Sequence, residues 1–249
     1  MRRSFWQGLH RAELVGGLVT GTLLFGGYLA QTEGQRYVSA SLAGFLTGLS
    51  VVLVPVIFLA LGRRPSNLQL VATVVAIFGL YLLANPQGNG HLLGVVLVLA
   101  CAVLFAVQLV VVEHYSNSAV AVVRFTLLQM LTVTMLSAAI ALRPGASGLI
   151  PLHASGEAWA TVFIDGIGAS ALGFLAQTWS LRWLNSIEIS IIYSLEPVFA
   201  ALIAFLALGQ NEGLRVWIGG VVVVGAMILA SLATPKQSPG AMDPQESSR

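Results

Sequence analysis

Residues 186–208, SIEISIIYSLEPVFAALIAFLAL, make one apolar run that sets a carboxylate and a proline side by side near its middle. As a helix rising about 1.5 Å per residue, the run is roughly 34 Å long, enough to cross a hydrocarbon core of about 30 Å. Glu196 and Pro197 then lie near the midplane. An ionisable group at that depth costs on the order of 3 kcal/mol, so it is expected to face a cavity or a partner. Proline has no N–H to give the carbonyl of Tyr193, so the same place is expected to be kinked and locally polar.

The rest of the chain is of the same kind. It is 57% hydrophobic and 9% charged, where a soluble domain carries about 25% charged residues. The fold class is therefore all-α, a polytopic membrane helical bundle. Apolar runs separated by turn residues predict eight spans, 14–31 (A), 38–61 (B), 68–85 (C), 91–112 (D), 119–142 (E), 159–181 (F), 186–208 (G) and 214–234 (H). Arg63-Arg64-Pro65-Ser66-Asn67 closes B, and Asn85-Pro86-Gln87-Gly88-Asn89-Gly90 closes C. The stretch from Arg143 to Glu157 reads as an irregular loop, and 235–249 as a short polar cytoplasmic tail. The apolar run after Met1-Arg2-Arg3 is long and has no A-x-A-like site after it, so it reads as a retained helix.

The net charge of +2 comes from arginines in short flanks between apolar runs. They are topology signals, and no nucleic-acid partner is expected. Arg2, Arg3, Arg11, Arg63, Arg64, Arg182, Lys236 and Arg249 fall on one side, against Arg36, Arg143 and Arg215 on the other. The richer side is expected to be cytoplasmic, with both termini on it. The link from Glu113 to Ser118 belongs to that side yet has no Lys or Arg.

An internal repeat orders the spans. YLAQTEGQRY at 28–37 superposes on FLAQTWSLRW at 174–183, so Gln31 falls on Gln177, an offset of 146 residues. The offset continues through Leu68 on Leu214 and Gly79 on Gly225. A-B-C is thus the counterpart of F-G-H, and the odd number of spans between B and G makes the copies cross in opposite directions. Inverted repeats build secondary transporters, with the site near the midplane between halves. The chain divides into a first half at 1–85, a five-helix second half at 91–234 and the tail. D and E lack counterparts ahead of A, where only Met1 to Glu13 stands. The expectation is a start site placed too late or a truncated fragment; a homodimer is the other way to complete the fold.

SLEPVFAALIAFLALG at 194–209, WIGG at 217–220 and AGFLTGLSVVLVPV at 43–56 together resemble the EamA-type permeases of the drug/metabolite transporter superfamily. The likeness runs from about Leu14 to Ala233, and the Glu-Pro-Val-Phe-Ala core of G is its most specific part. The resemblance implies ten helices in two inverted halves of five, of which A to H correspond to helices three to ten. It also implies a bacterial inner membrane and export or exchange of small metabolites, amino acids or drugs by alternating access.

Glu196 is the sharpest site candidate, as a cavity carboxylate that binds a proton or a cationic substrate group; the plainer reading is a carboxyl that holds the kink at Pro197. Gln31 and Gln177, at equivalent positions, either join helices or gate the path. Gln108 lies deep enough in D to line a cavity. Tyr193 and Ser194 offer an aromatic wall and a hydroxyl, or ordinary packing around the kink. Under the same offset Thr47, Gly48 and Ser50 stand opposite Tyr193, Ser194 and Glu196, and their small size leaves room at the pseudo-twofold axis. Arg124 is expected to snorkel, Asp165 to sit where Gly166 and Gly168 permit bending, and Glu188 to complement the start of G. Gly16-Gly17-x-x-x-Gly21 allows close helix approach.

No HExxH, GxSxG or P-loop occurs, and His10, His91, His114 and His153 have no ligand spacing, so no enzyme, metal site or cofactor is expected. Cys101, the one cysteine, forms no intramolecular disulfide or cysteine metal cluster. The expected function is a permease of small molecules in the lipid bilayer, its coupling provided by a proton at Glu196 or by exchange. The alternative is a non-transporting membrane subunit or interaction protein derived from a truncated permease.

Overall fold

The computed structural model describes residues 10–84, 91–116, 121–142, 155–196, 198–199, 202–203, 206 and 213–232. The expected turn at 85–90, the loop from Arg143, the tail and Pro197 lie outside these residues. All regular structure among the described residues is helical. The helices are α1 (Arg11–Gly34), α2 (Ala40–Gly48), α3 (Ser50–Ala60), α4 (Asn67–Ala84), α5 (Leu92–Ser116), α6 (Val122–Ala141) and α7 (Gly156–Phe163). A π-helical segment (Ile164–Leu172) leads into α8 (Gly173–Ser180), and α9 (Ser186–Tyr193) and α10 (Gly213–Ser231) follow. Six helices among the described residues are long and apolar enough to cross a membrane, and Asn67–Leu83 is a shorter apolar helix.

Side-chain caps set where several helices begin. Asn185 accepts from the Glu188 N–H at 3.1 Å while Glu188 accepts from the Asn185 N–H at 2.9 Å, a reciprocal box that starts α9. Ser66 and Gln69 do the same for α4, at 3.1 and 3.0 Å. At the repeat position of Asn185, Ser39 accepts from the Leu42 N–H at 3.2 Å, so both inverted copies enter their central span through a cap.

Two ends of the bundle can be told apart. The basal end carries Glu13, Arg63, Glu113, Arg124 and Ser186; the opposite end carries Arg36, His91 and Ser155. Helix α1 packs between α5 and α6 because glycines let the backbones touch. A Cβ on Gly17 would meet Leu128 at 2.6 Å, and one on Gly21 would meet the Gln129 carbonyl at 2.6 Å. The glycine motif of span A is thus spent on packing within the chain. Helices α4 and α10, the counterparts C and H of the two halves, lie against each other with Gly79 and Gly219 in the seam.

The main core joins Val51, Val54 and Phe58 of α3 to Leu109 and Val112 of α5 and Ile187 and Ile191 of α9. It continues along the α4–α10 seam through Ala76, Leu80 and Val223. Span F is packed differently from its counterpart α1: within Ala158–Ser180 the membrane-length window is not buried, and Asp165, Gly166 and Gly168 sit on the open surface of the π-helical turn.

Candidate functional site

Span B is long enough to cross a membrane as Leu42–Ala60 but is interrupted at one residue. Its α2 and α3 segments meet at Leu49, whose N–H is shared at 3.2 Å between the carbonyls of Phe45 and Leu46. Span G breaks in the same way: the Ser194 and Leu195 N–H groups fall back to the carbonyls of Ile191 and Ile192, both at 3.0 Å. Leu195 is the repeat counterpart of Leu49, so the two breaks coincide under the inverted repeat to within one residue. Local tightening to i to i−3 bonds within a helix often marks a functional hinge. Broken helices in paired positions of two inverted halves are where secondary transporters build their binding sites.

Around the two breaks the chain gathers aromatic, hydroxyl and carboxyl groups. Tyr28 of α1 lies beside the hydroxyl of Ser170 and within electrostatic reach of Glu196 and Cys101. Tyr193 lies in turn within reach of Tyr28 and Glu196. The Tyr28 ring meets Phe105 edge-on, centroids 5.6 Å apart, and Phe174 at 6.5 Å. Phe174 is the repeat counterpart of Tyr28, and equivalent residues that touch across a pseudo-twofold mark its axis. Tyr193 is 45% exposed, and Glu196 is exposed. None of the ion pairs among the described residues involves Glu196.

Of the residues singled out from sequence, Tyr193 and Glu196 stand together at this place. Thr47 and Ser50 flank the break in B, half-buried. Gln31 donates to the Thr47 hydroxyl at 3.3 Å, and Thr47 lies beside the Cys101 thiol. Gln177 donates to Gln108 at 3.1 Å, both side chains buried, with Gln108 Nε2 and Gln177 Oε1 left without a partner. The equivalent glutamines therefore each bond a second helix, α2 for Gln31 and α5 for Gln177. Ser194 is buried and bonds the Ser190 carbonyl at 3.4 Å. Pro197 lies outside the described residues. Arg124 stands in the first turn of α6 and pairs with Glu13 at 2.9 Å, so an ion pair holds it where snorkelling was expected.

Tyr28, Phe105, Phe174, Ser170 and Cys101 were not singled out. Tyr28 and Phe174 had a signal, since they open the two repeat strings; the other three lie in uniformly apolar stretches. Two further carboxylates were also missed, Glu13 and Glu113, both buried at the basal end. An open recess of about 410 Å³ lies against Trp179, Ser180, Trp183 and Leu184 on the outside of that end. Exposed tryptophans there suit the membrane interface.

A model of the EamA-like transporter family matches residues 3–85 and 92–232. An uncharacterized transporter of Archaeoglobus fulgidus is 28% identical over 218 residues, covering 87% of this chain and 68% of the relative. One of Clostridium kluyveri is 23% identical over 210 residues, covering 77% of this chain and 64% of the relative. The chain thus spans about two thirds of the length of these relatives. A crystal structure shares the fold with a TM-score of 0.69 at 17% identity, covering 90% of this chain and 88% of the other.

Proposed function

This chain belongs to the EamA-like transporter family, and with it to the drug/metabolite transporter superfamily; we propose that it moves small metabolites, amino acids or drugs by alternating access at the paired helix breaks. The observation that carries this reading is the coincidence of the breaks at Leu49 and Ser194–Leu195 under an inverted repeat. Tyr28 and Tyr193 form the walls of the site, and Glu196 takes up a proton or a cationic group of the substrate. Proton binding at Glu196, or exchange against a second solute, supplies the coupling. The arginine count supports a cytoplasmic basal end in a bacterial inner membrane.

The test is uptake of candidate solutes into proteoliposomes by the protein and by Glu196→Gln. The variant should insert and unfold like the parent while substrate movement is lost. Parental flux in Glu196→Gln would remove this carboxylate from the mechanism. The openness of span F favours a second reading, a membrane subunit that docks another chain there. A stoichiometric partner that co-purifies from native membranes, together with indifference to Glu196→Gln, would select it.

A further inference from the structure

We propose that Arg63, Glu113 and Ser186 form a releasable latch that holds the basal end of the solute path shut; the inference rests on the transporter reading and adds its gate. The Glu113 carboxylate is only 4% exposed, and both its oxygens are engaged. Oε1 accepts from Arg63 Nη2 at 2.6 Å. Oε2 accepts from the Ser186 N–H at 2.6 Å and from the Ser186 hydroxyl, whose single hydrogen has the Leu109 carbonyl at 3.2 Å as its alternative acceptor. One side chain thereby ties three segments: the link after α3, the end of α5 and the first residue of α9. The first belongs to one inverted half and the other two to the second.

The placement of Arg63 is built into the chain. Gly62 adopts φ +74°, a left-handed conformation that a side chain would strain, and the Arg63 N–H returns to the Phe58 carbonyl at 2.9 Å. That reversal lays the guanidinium over the Phe58 ring, 3.8 Å from its centroid, and aims it at Glu113. The Arg63 side chain remains 48% exposed. Water therefore reaches one partner, so the pair can be exchanged for hydration without stranding two charges in a dry interior.

A second ion pair between the halves is of a different kind. Glu13 and Arg124 also meet at the basal end, but along the α1–α6 contact, where glycines bring the backbones together. Separating them means pulling apart a whole helix pair. At the opposite end the one ion pair among the described residues, Glu33 with Arg36, is local and exposed. Arg215 of α10 lies over the Tyr81 ring of α4 at 5.2 Å, a looser cation–π contact, whereas the Arg63–Glu113 ion pair across the halves stands at the basal end, where the α3–α5–α9 core also closes. Releasing Ser186 frees the first residue of α9, whose other end is the break at Ser194, beside Tyr193 and Glu196. The latch and the site are the two ends of one short helix.

Thiol accessibility tests the latch without requiring solute flux. With Cys101 replaced by alanine, Ser190→Cys places a probe on α9 between latch and break, at a side chain that is now buried. Inside-out vesicles are treated with a membrane-impermeant maleimide. The parent should label slowly. Arg63→Ala and Glu113→Gln should each label about tenfold faster, as expected for a pair between the exposed and fully buried limits. Val98→Cys, buried in the α1–α5 contact beside Gly34 at the opposite end, should stay slow in both when placed in a matched set that lacks Cys101 and the Ser190 probe, which separates opening from unfolding. Unchanged Ser190→Cys labelling in Arg63→Ala overturns the latch, and that surface substitution decides the matter if Glu113→Gln does not fold. Flux that fails in the unaltered protein would instead count against the transporter reading.

Discussion

The seam between α4 and α10 gives a prediction in which two repeat-equivalent glycines behave oppositely. A Cβ on Gly219 would stand 2.7 Å from the Leu83 nitrogen and 2.8 Å from the Gly79 carbonyl; one on Gly79 would stand 2.9 Å from the Val223 nitrogen. Ordinary contact begins at 3.4 Å, and these neighbours are backbone, so they cannot rotate away. The helices must part by roughly 0.5–0.7 Å, which forfeits a quarter to a half of each ~0.1–0.2 kcal/mol contact along the seam. Over two full spans that amounts to about 1–3 kcal/mol, the usual cost of overpacking. Gly79→Ala and Gly219→Ala should each lower stability by that amount. Together they should cost about 1 kcal/mol less than their sum, because the second methyl enters space the first has opened. Gly225, the counterpart of Gly79, has nothing within 4 Å of its would-be Cβ, so Gly225→Ala should be neutral. The assay is reversible unfolding in mixed micelles as the SDS fraction rises, followed by circular dichroism. Equal effects at Gly79 and Gly225, or losses that add to within about 0.5 kcal/mol, would refute the reasoning.

Two other outcomes follow from buried polar groups. Gln108→Leu and Gln177→Leu should each cost about 0.6–1.7 kcal/mol in the same unfolding assay, the double variant costing less than their sum; independent, additive losses would mean the 3.1 Å bond does not join α5 to α8. Glu13→Ala removes a fully buried carboxylate that Arg124 and the Ala121 N–H both donate to, and should cost about 3–5 kcal/mol. The exposed Glu33→Ala should change stability by no more than about 0.5 kcal/mol, and similar costs for the two would show that burial does not set the value of these pairs.

Much of the candidate site could be read along the chain because its parts repeat. The Leu-Ala-Gln-Thr strings located Gln31 and Gln177, and the offset set Thr47 and Ser50 opposite Tyr193 and Glu196. The kink in G had a chemical marker in Pro197, although the break described lies two to three residues earlier. The break at Leu49 had no marker of its own, since Pro55 lies six residues on. It became visible only as a shared N–H. Glu113 and Glu13 were illegible for another reason. A carboxylate at the edge of an apolar run looks the same whether water or an arginine meets it, and their arginines are 50 and 111 residues away.

By itself the sequence determined that the chain crosses a bilayer several times as helices, that two of its stretches repeat at a constant offset, and that one carboxylate lies at the middle of an apolar run. Each follows from local quantities: run length against bilayer thickness, identity at a constant offset, and the cost of charge in hydrocarbon. The tertiary structure alone decided which arginines meet Glu13 and Glu113 across the halves, which glycines carry a seam, and which aromatic rings gather on Tyr28. Those depend on which faces of uniformly apolar helices meet. In hydrocarbon nearly every face of such a helix is equally apolar, so periodicity carries little of that choice and small residues and buried polar pairs make it.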